Sequence, residues 1–218
     1  MKIYYETPLG RLWHGDCVEG MEHIQAIDLI LTDPPYGIGV GGSKPLGSVG
    51  GSNVCHVNNY IQFEDSKRPP KKCFDLMLSI SRNQIIFGGN YFLDYLYPTP
   101  CFLVWDKDNT GNFADCEIAW ASFKSAVRKF KWRWNGMLKE APEKRYHLTQ
   151  KPVGLFMQIL RKYSQEKELI LDPFLGSGTT AIACERLKRR WIGIEIEEKY
   201  CEISAKRIEQ ERKQLKLF

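Results

Sequence analysis

No stretch of this 218-residue chain approaches the roughly 18 consecutive apolar residues that span a bilayer, so neither a transmembrane helix nor a membrane partner is expected. Met1 to Arg11 holds no apolar core of the kind a secretory leader carries, and an intracellular, cytoplasmic location is expected. The seven cysteines include no pair at C-x-x-C spacing, which argues against both a disulfide framework and a cysteine-rich zinc site. They read as reduced, mostly buried thiols. Cys55-His56 is the only adjacent Cys/His pair, two ligands do not make a zinc site, and no metal is expected. No internal repeat occurs, and no shift of composition marks a second domain. The whole chain, 1–218, is expected to fold as one unit, a length that supports a core of its own.

A net charge of +5 favours an anionic partner without requiring one. Apolar runs at Asp28–Thr32, Gln84–Phe87, Cys101–Trp105, Glu117–Phe123, Glu168–Leu171 and Trp191–Ile196 predict strands, with a further short one at Arg11–Asp16. Helices are predicted over Cys73–Ser81, Val153–Ser164, Ala181–Arg190 and Glu197 to about Lys213. The alternation means an α/β protein with a mostly parallel central sheet and helices on both faces. Residues 37–72 break the pattern, with seven glycines before position 52 and the run Lys67-Arg68-Pro69-Pro70-Lys71-Lys72. They read as a long mobile loop, a type of segment that often serves as a lid. The last helix is either a cover for the sheet or the contact surface of a homodimer.

Two corners carry chemistry. Asp172-Pro173-Phe174-Leu175-Gly176-Ser177-Gly178-Thr179-Thr180 joins a strand to a helix, and Gly176, Gly178 and Ala181 fit G-x-G-x-x-A. Glycines there permit a tight turn and close backbone approach to a ligand. Glu195 ends the next strand, placed to accept hydrogen bonds from ribose hydroxyls. A nicotinamide dinucleotide is the alternative occupant. Against it, only one helix comes after Glu195, so the rest of the sheet must come from upstream, and Asp172 would repel a pyrophosphate but could meet an amino group. The second corner is Asp33-Pro34-Pro35-Tyr36, at the end of a predicted central strand. Each proline forces the residue before it out of the helical region. The Asp33 carboxylate and the Pro34 carbonyl then stand as acceptors beside an aromatic face. That set suits a planar ring bearing an NH₂ group.

Together, and in this order, the two corners resemble the amino-methyltransferases of DNA. The tetrapeptide comes first, then His147-Leu148-Thr149-Gln150-Lys151-Pro152, then the glycine turn and Ile194-Glu195, as in the permuted group called the beta class. Gly15-Asp16 is similar to the acidic segment that precedes the tetrapeptide there. The resemblance spans roughly Leu12 to Ala205. It implies a circularly permuted, Rossmann-like S-adenosylmethionine-dependent methyltransferase fold, in a prokaryotic or phage-encoded enzyme of a restriction–modification system, with double-stranded DNA as partner. It implies that Asp33, Pro34 and Tyr36 form the pocket for a flipped base. Phe174, Gly176, Ser177, Gly178 and Thr179 would wrap the methionine part of the cofactor, with Glu195 on its ribose, Asp16 on its adenine side, and Lys151 with Thr149 at its carboxylate. Aspartate at the first tetrapeptide position accompanies adenine N6 in the family more often than cytosine N4, which leaves N4-cytosine methylation, or an RNA substrate, as the alternative. A non-catalytic DNA-binding protein on this scaffold is a second alternative, disfavoured by the intact tetrapeptide. Long target-recognition regions usually precede the segment at 147–152. The short interval here leaves sequence reading weak, or assigned to the 37–72 loop, or supplied by a partner.

One further motif suits DNA. Lys129-Phe130-Lys131-Trp132-Arg133-Trp134 alternates at period two, so Lys129, Lys131 and Arg133 share one face and the aromatics the other. The cations suit phosphates and the aromatics, Trp134 included, suit exposed bases. The competing reading is an amphipathic strand with buried aromatics and solvated charges.

Overall fold

The computed structural model describes residues 1–39, 65–108, 114–135, 138–141, 143–146 and 149–215. In chain order the elements are β1 (Lys2–Glu6), β2 (Gly10–His14), α1 (Cys17–Met21), β3 (Ile27–Thr32), α2 (Lys71–Ile80), β4 (Ser81–Phe87), β5 (Cys101–Asp106), β6 (Cys116–Ala121), β7 (Arg128–Lys131), β8 (Trp134–Asn135), β9 (Leu138–Lys139), α3 (Val153–Tyr163), β10 (Leu169–Asp172), α4 (Thr179–Leu187), β11 (Arg190–Glu195) and α5 (Glu198–Leu215). A single-turn 3-10 helix, Gly89–Tyr91, comes after β4. Most of the 37–72 loop lies outside the described residues, as do Cys55, His56, His147 and Leu148.

Nine strands form one sheet in the order β1-β2-β11-β10-β3-β4-β6-β5-β7. From β2 to β4 every pairing is parallel. Beyond β4 the sheet turns antiparallel through β6 and β5, and β1 pairs antiparallel with β2 at the other edge. The central strands are apolar on both faces because both faces are covered. Leu29, Leu31, Ile85, Phe87 and Ile170 pack into the core under α3 and α4. Their neighbours Ile30, Ile86 and Leu171 point the other way, into the core that includes Met21, Phe74 and Met77 of α1 and α2.

Three sequence expectations need correction. The loop ends earlier than 72: Pro70 sits in an extended conformation as the N-cap of α2, so the helix begins at Lys71. β1 has no counterpart among the predicted strands, because its half-exposed side chains give an edge strand no apolar run. α4 starts at Thr179 rather than Ala181, as the left-handed Gly178 (φ 88°) ends the turn directly before it. The last helix covers the sheet with one of its faces. Tyr200, Cys201 and Ile208 of α5 are buried within this chain.

Candidate active site

The sheet brings both corners to one place. β3 and β10 are hydrogen-bonded neighbours running in the same direction. Asp33 and the glycine turn therefore emerge side by side at the carboxyl ends of the central strands, where open α/β sheets bind ligands. Asp172 fixes their spacing. Its Oδ1 accepts from the Thr32 hydroxyl of β3 (2.7 Å) and the Phe174 N–H (3.1 Å), and its Oδ2 from the Thr180 hydroxyl of α4 (2.5 Å). Burial pushes this carboxyl up to about 6 despite those donors. The residue is 4 % exposed and braces β3, β10 and α4 against one another at the mouth of the glycine turn.

At the first corner the Tyr36 hydroxyl donates to Asp33 Oδ1 (2.5 Å), and the Lys151 ammonium donates to Asp33 Oδ2 (2.6 Å). Glu117 of β6 meets the same ammonium, Oε2 to Nζ 3.1 Å, while its Oε1 pairs with Lys107 (2.5 Å). Burial pushes the Asp33 carboxyl up. Lys151 opposes that shift and the Glu117 charge adds to it. For Lys151 burial works downward, but Asp33 and Glu117 outweigh it and hold the ammonium protonated, well above its ordinary range. The resemblance places Lys151 at a cofactor carboxylate. In this structure two protein carboxylates hold its ammonium, and its side chain is 6 % exposed. Its backbone carbonyl still reaches the second corner by accepting from the Thr179 hydroxyl (3.1 Å). Thr149 is half-buried two residues before it.

The Tyr36 ring stacks on exposed Tyr91 (4.8 Å between centroids, 17°), a partner the sequence does not single out. Gly88, left-handed at φ 64°, makes room for that ring, because a Cβ there would stand 2.2 Å from Tyr36. The base of the loop closes against this corner. The Gly37 N–H donates to the Asp65 carboxylate (2.9 Å) and the Gly39 N–H to its backbone carbonyl (2.8 Å).

At the second corner Glu195 is 8 % exposed. Its oxygens accept from the Gly176 N–H (2.8 Å) and the Glu197 N–H (2.9 Å). Burial lifts its carboxyl to about 7. Asp16 sits at the end of β2, the strand beside β11, where the Gly15 N–H donates to the Glu195 carbonyl (3.0 Å). Asp16 is exposed and caps α1, its Oδ1 accepting from Val18 N–H and Glu19 N–H. Phe174 is partly buried, whereas Ser177 is 1 % exposed. Helix α5 grips the turn from behind. The Ser204 hydroxyl donates to the Gly176 carbonyl (2.6 Å), and Arg207 donates to the Ser177 carbonyl (2.5 Å) and hydroxyl (2.9 Å).

The basic ribbon divides as period two requires. Lys129, Lys131 and Arg133 are exposed, but each meets a carboxylate: Lys129 with Asp106 (3.2 Å), Lys131 and Arg133 with Asp108. Trp134 is 5 % exposed and packs inside, its indole N–H donating to the Gln150 carbonyl (2.9 Å).

Residues 119–206 match the family model described as DNA methylase. The chain is 26% identical to the type II methyltransferase M.HinfI of Haemophilus influenzae across 96% of its own length and 71% of that protein's. It is 27% identical to the type II methyltransferase M2.MboI of Moraxella bovis, across 95% and 91%. Among solved structures, the M1.HpyAVI–SAM complex superposes with a TM-score of 0.60 at 25% identity, covering 91% of this chain and 99% of that one. The cytosine-N4-specific PvuII DNA methyltransferase shares the fold at 16% identity, TM-score 0.59, with 94% and 88% covered.

Proposed function

We propose that this chain, which is similar to the amino-methyltransferases of DNA, moves the methyl group of S-adenosylmethionine onto the N6 amine of an adenine flipped out of duplex DNA. The observation that carries this is the juxtaposition of Asp33-Pro34-Pro35-Tyr36 and the glycine turn on adjacent parallel strands, about 140 residues apart in sequence. The aspartate that opens the tetrapeptide favours adenine.

The donors and acceptors fit the cofactor. Glu195 and Asp16 end neighbouring strands as two carboxylates, suited to ribose hydroxyls and an adenine amine, and Phe174 to Thr179 form a backbone cradle beside them. When bound, S-adenosylmethionine supplies an electrophilic methyl group and leaves as a neutral thioether. The protein's part is positioning and hydrogen bonding. The target base leaves the stack at a cost of a few kcal/mol. Asp33 and the Pro34 carbonyl accept its two N–H hydrogens, which draws the nitrogen lone pair out of the ring and toward the methyl group. The Tyr36 ring holds the base plane. Burial lifts the Asp33 carboxyl and so suits it to receive the proton that the methylated amine sheds.

Incubation with labelled cofactor and unmethylated DNA, then digestion to nucleosides and mass spectrometry, tests the reading. N6-methyladenine is expected. N4-methylcytosine as the main product would overturn the base assignment, and an absence of transfer would overturn the function.

Cofactor affinity should tighten as pH rises from about 6 to 8. Glu195 titrates near 7 because it is buried, and ribose hydroxyls bind its charged form better. Glu195→Ala should weaken binding by about 1–3 kcal/mol and flatten the profile. Titration calorimetry across that range checks both, and a pH-independent affinity would give Glu195 a purely structural role. For the ribbon, neutralising Lys129, Lys131 and Arg133 together should weaken binding to all DNA sequences alike. The salt slope should fall by about 1 for each phosphate the protein no longer neutralises. An unchanged slope would mean that these cations serve Asp106 and Asp108 alone.

A further inference from the structure

Asp33 is the acceptor that the base amine needs, yet a cation already holds it. The Lys151 ammonium sits 2.6 Å from Oδ2, and the Tyr36 hydroxyl holds Oδ1. A charged donor at that distance competes with a neutral amine and usually wins. A second acceptor stands ready for the ammonium. Glu117 Oε2 is out of contact with solvent and 3.1 Å from Nζ, and makes no aligned hydrogen bond among the described residues. Glu117 is anchored at its other end by Lys107, so it stays in place and stays charged.

We propose that Glu117 is a positioning residue for methyl transfer: it draws the Lys151 ammonium off Asp33 as the base amine arrives, freeing the carboxylate to accept from that amine. The inference rests on the function proposed above. The shift is short, since the ammonium is already 3.1 Å from the Glu117 carboxylate, and it breaks no covalent bond. Net charge in the pocket is unchanged, with Asp33 and Glu117 facing Lys151 and Lys107 around the Tyr36 phenol. Lys151 also lends its backbone carbonyl to Thr179 at the first residue of α4. Its main chain is thus tied to the glycine turn while its side chain swings.

Glu117→Gln tests this in single-turnover methylation. The wild-type protein in the same assay shows whether transfer occurs at all, so failure of the enzymatic reading is seen separately. The variant is expected to lose about 10- to 100-fold in the transfer rate with cofactor affinity unchanged. Its acid limb should move to lower pH, because removing the Glu117 charge eases ionisation of Asp33. Lys107→Met should move that limb to higher pH, since it strips a neutralising cation from the same cluster. Glu117→Asp should restore part of the rate. Shifts of opposite sign are beyond a residue that merely supports the fold. Unchanged rates and limbs in both variants would overturn the proposal. So would a loss confined to cofactor affinity, or limbs that move in the same direction. Should Glu117→Gln fail to fold, the Lys107→Met profile decides alone.

Discussion

Replacing Asp33 by alanine should slow methyl transfer by about 10²–10⁴-fold, or roughly 3–5 kcal/mol in the barrier, while leaving cofactor binding close to that of the native protein. An amine conjugated to a purine is a poor nucleophile, and Asp33 is the one anionic acceptor in the Asp33-Pro34-Pro35-Tyr36 corner. Alanine removes that acceptor and also the nearer of the two carboxylates that hold Lys151. Glu117 then takes the ammonium alone, so the lysine remains paired and the fold is retained. The cofactor corner should feel little, because the bonds of Glu195 to Gly176 and of Arg207 to Ser177 do not involve Asp33. Asp33→Asn is the informative companion. It keeps one acceptor oxygen and the shape but adds an NH₂ that opposes the base amine or Lys151, so it should lie near the alanine value. Single-turnover rates at saturating cofactor, with binding measured separately, check both. Turnover near wild type in either variant would remove Asp33 from the chemistry.

The parts of this site that are legible in the sequence are those whose signal is local. The run Ile27-Asp28-Leu29-Ile30-Leu31-Thr32 announces a buried parallel strand, and the two prolines after Asp33 fix the backbone at its end. The glycine turn likewise carries its own strand, turn and helix. Glu117 is not legible. It lies in a strand that pairs antiparallel with β4, and only that pairing carries it to Lys151. Nothing near it in sequence marks it as different from any other acid on a half-exposed strand. The partners of Lys151 are hidden for the same reason, since they come from β6 and the end of β3 rather than from its own segment. The basic ribbon shows the converse limit. Period two sorts its faces correctly, but the carboxylates that neutralise it lie in and just after β5, brought alongside by a parallel register that sets Lys131 against Asp106. Trp134 belongs to the inward set by that same period, and its burial is the consequence.

Arg207 offers the other large effect, although nothing in the sequence distinguishes it within a charged helix. Its side chain is 7 % exposed, stacks on Tyr146 (4.9 Å) and spreads its guanidinium between two segments. Nη1 donates to Ser177 in the glycine turn, and Nη2 to Glu143 (3.0 Å). Glu143 in turn accepts from the Val153 N–H at the start of α3 (3.0 Å) and from Gln150 (3.0 Å). One guanidinium thus ties the cofactor turn to the segment that delivers Lys151. Burial lowers the Arg207 pKa from its usual value and Glu143 opposes that, yet an arginine remains charged at any working pH. Arg207→Ala would take one cation from the partly buried Glu143 carboxylate and one donor from the Ser177 carbonyl. Breaking a buried pair from one side costs about 3–5 kcal/mol, and since Glu143 still accepts from Val153 N–H and Gln150 the lower end is expected. For a chain of this size about 3 kcal/mol lowers the melting temperature by roughly 6–12 °C. Cofactor affinity should fall with it, because the Ser177 backbone would no longer be held in the turn. Arg207→Lys should recover little of either, as a single ammonium cannot reach both Ser177 and Glu143 in the forked geometry. Thermal unfolding with and without S-adenosylmethionine measures both effects. A destabilisation below about 1 kcal/mol, with cofactor stabilisation intact, would show that α5 only covers the sheet and that the glycine turn holds its own shape.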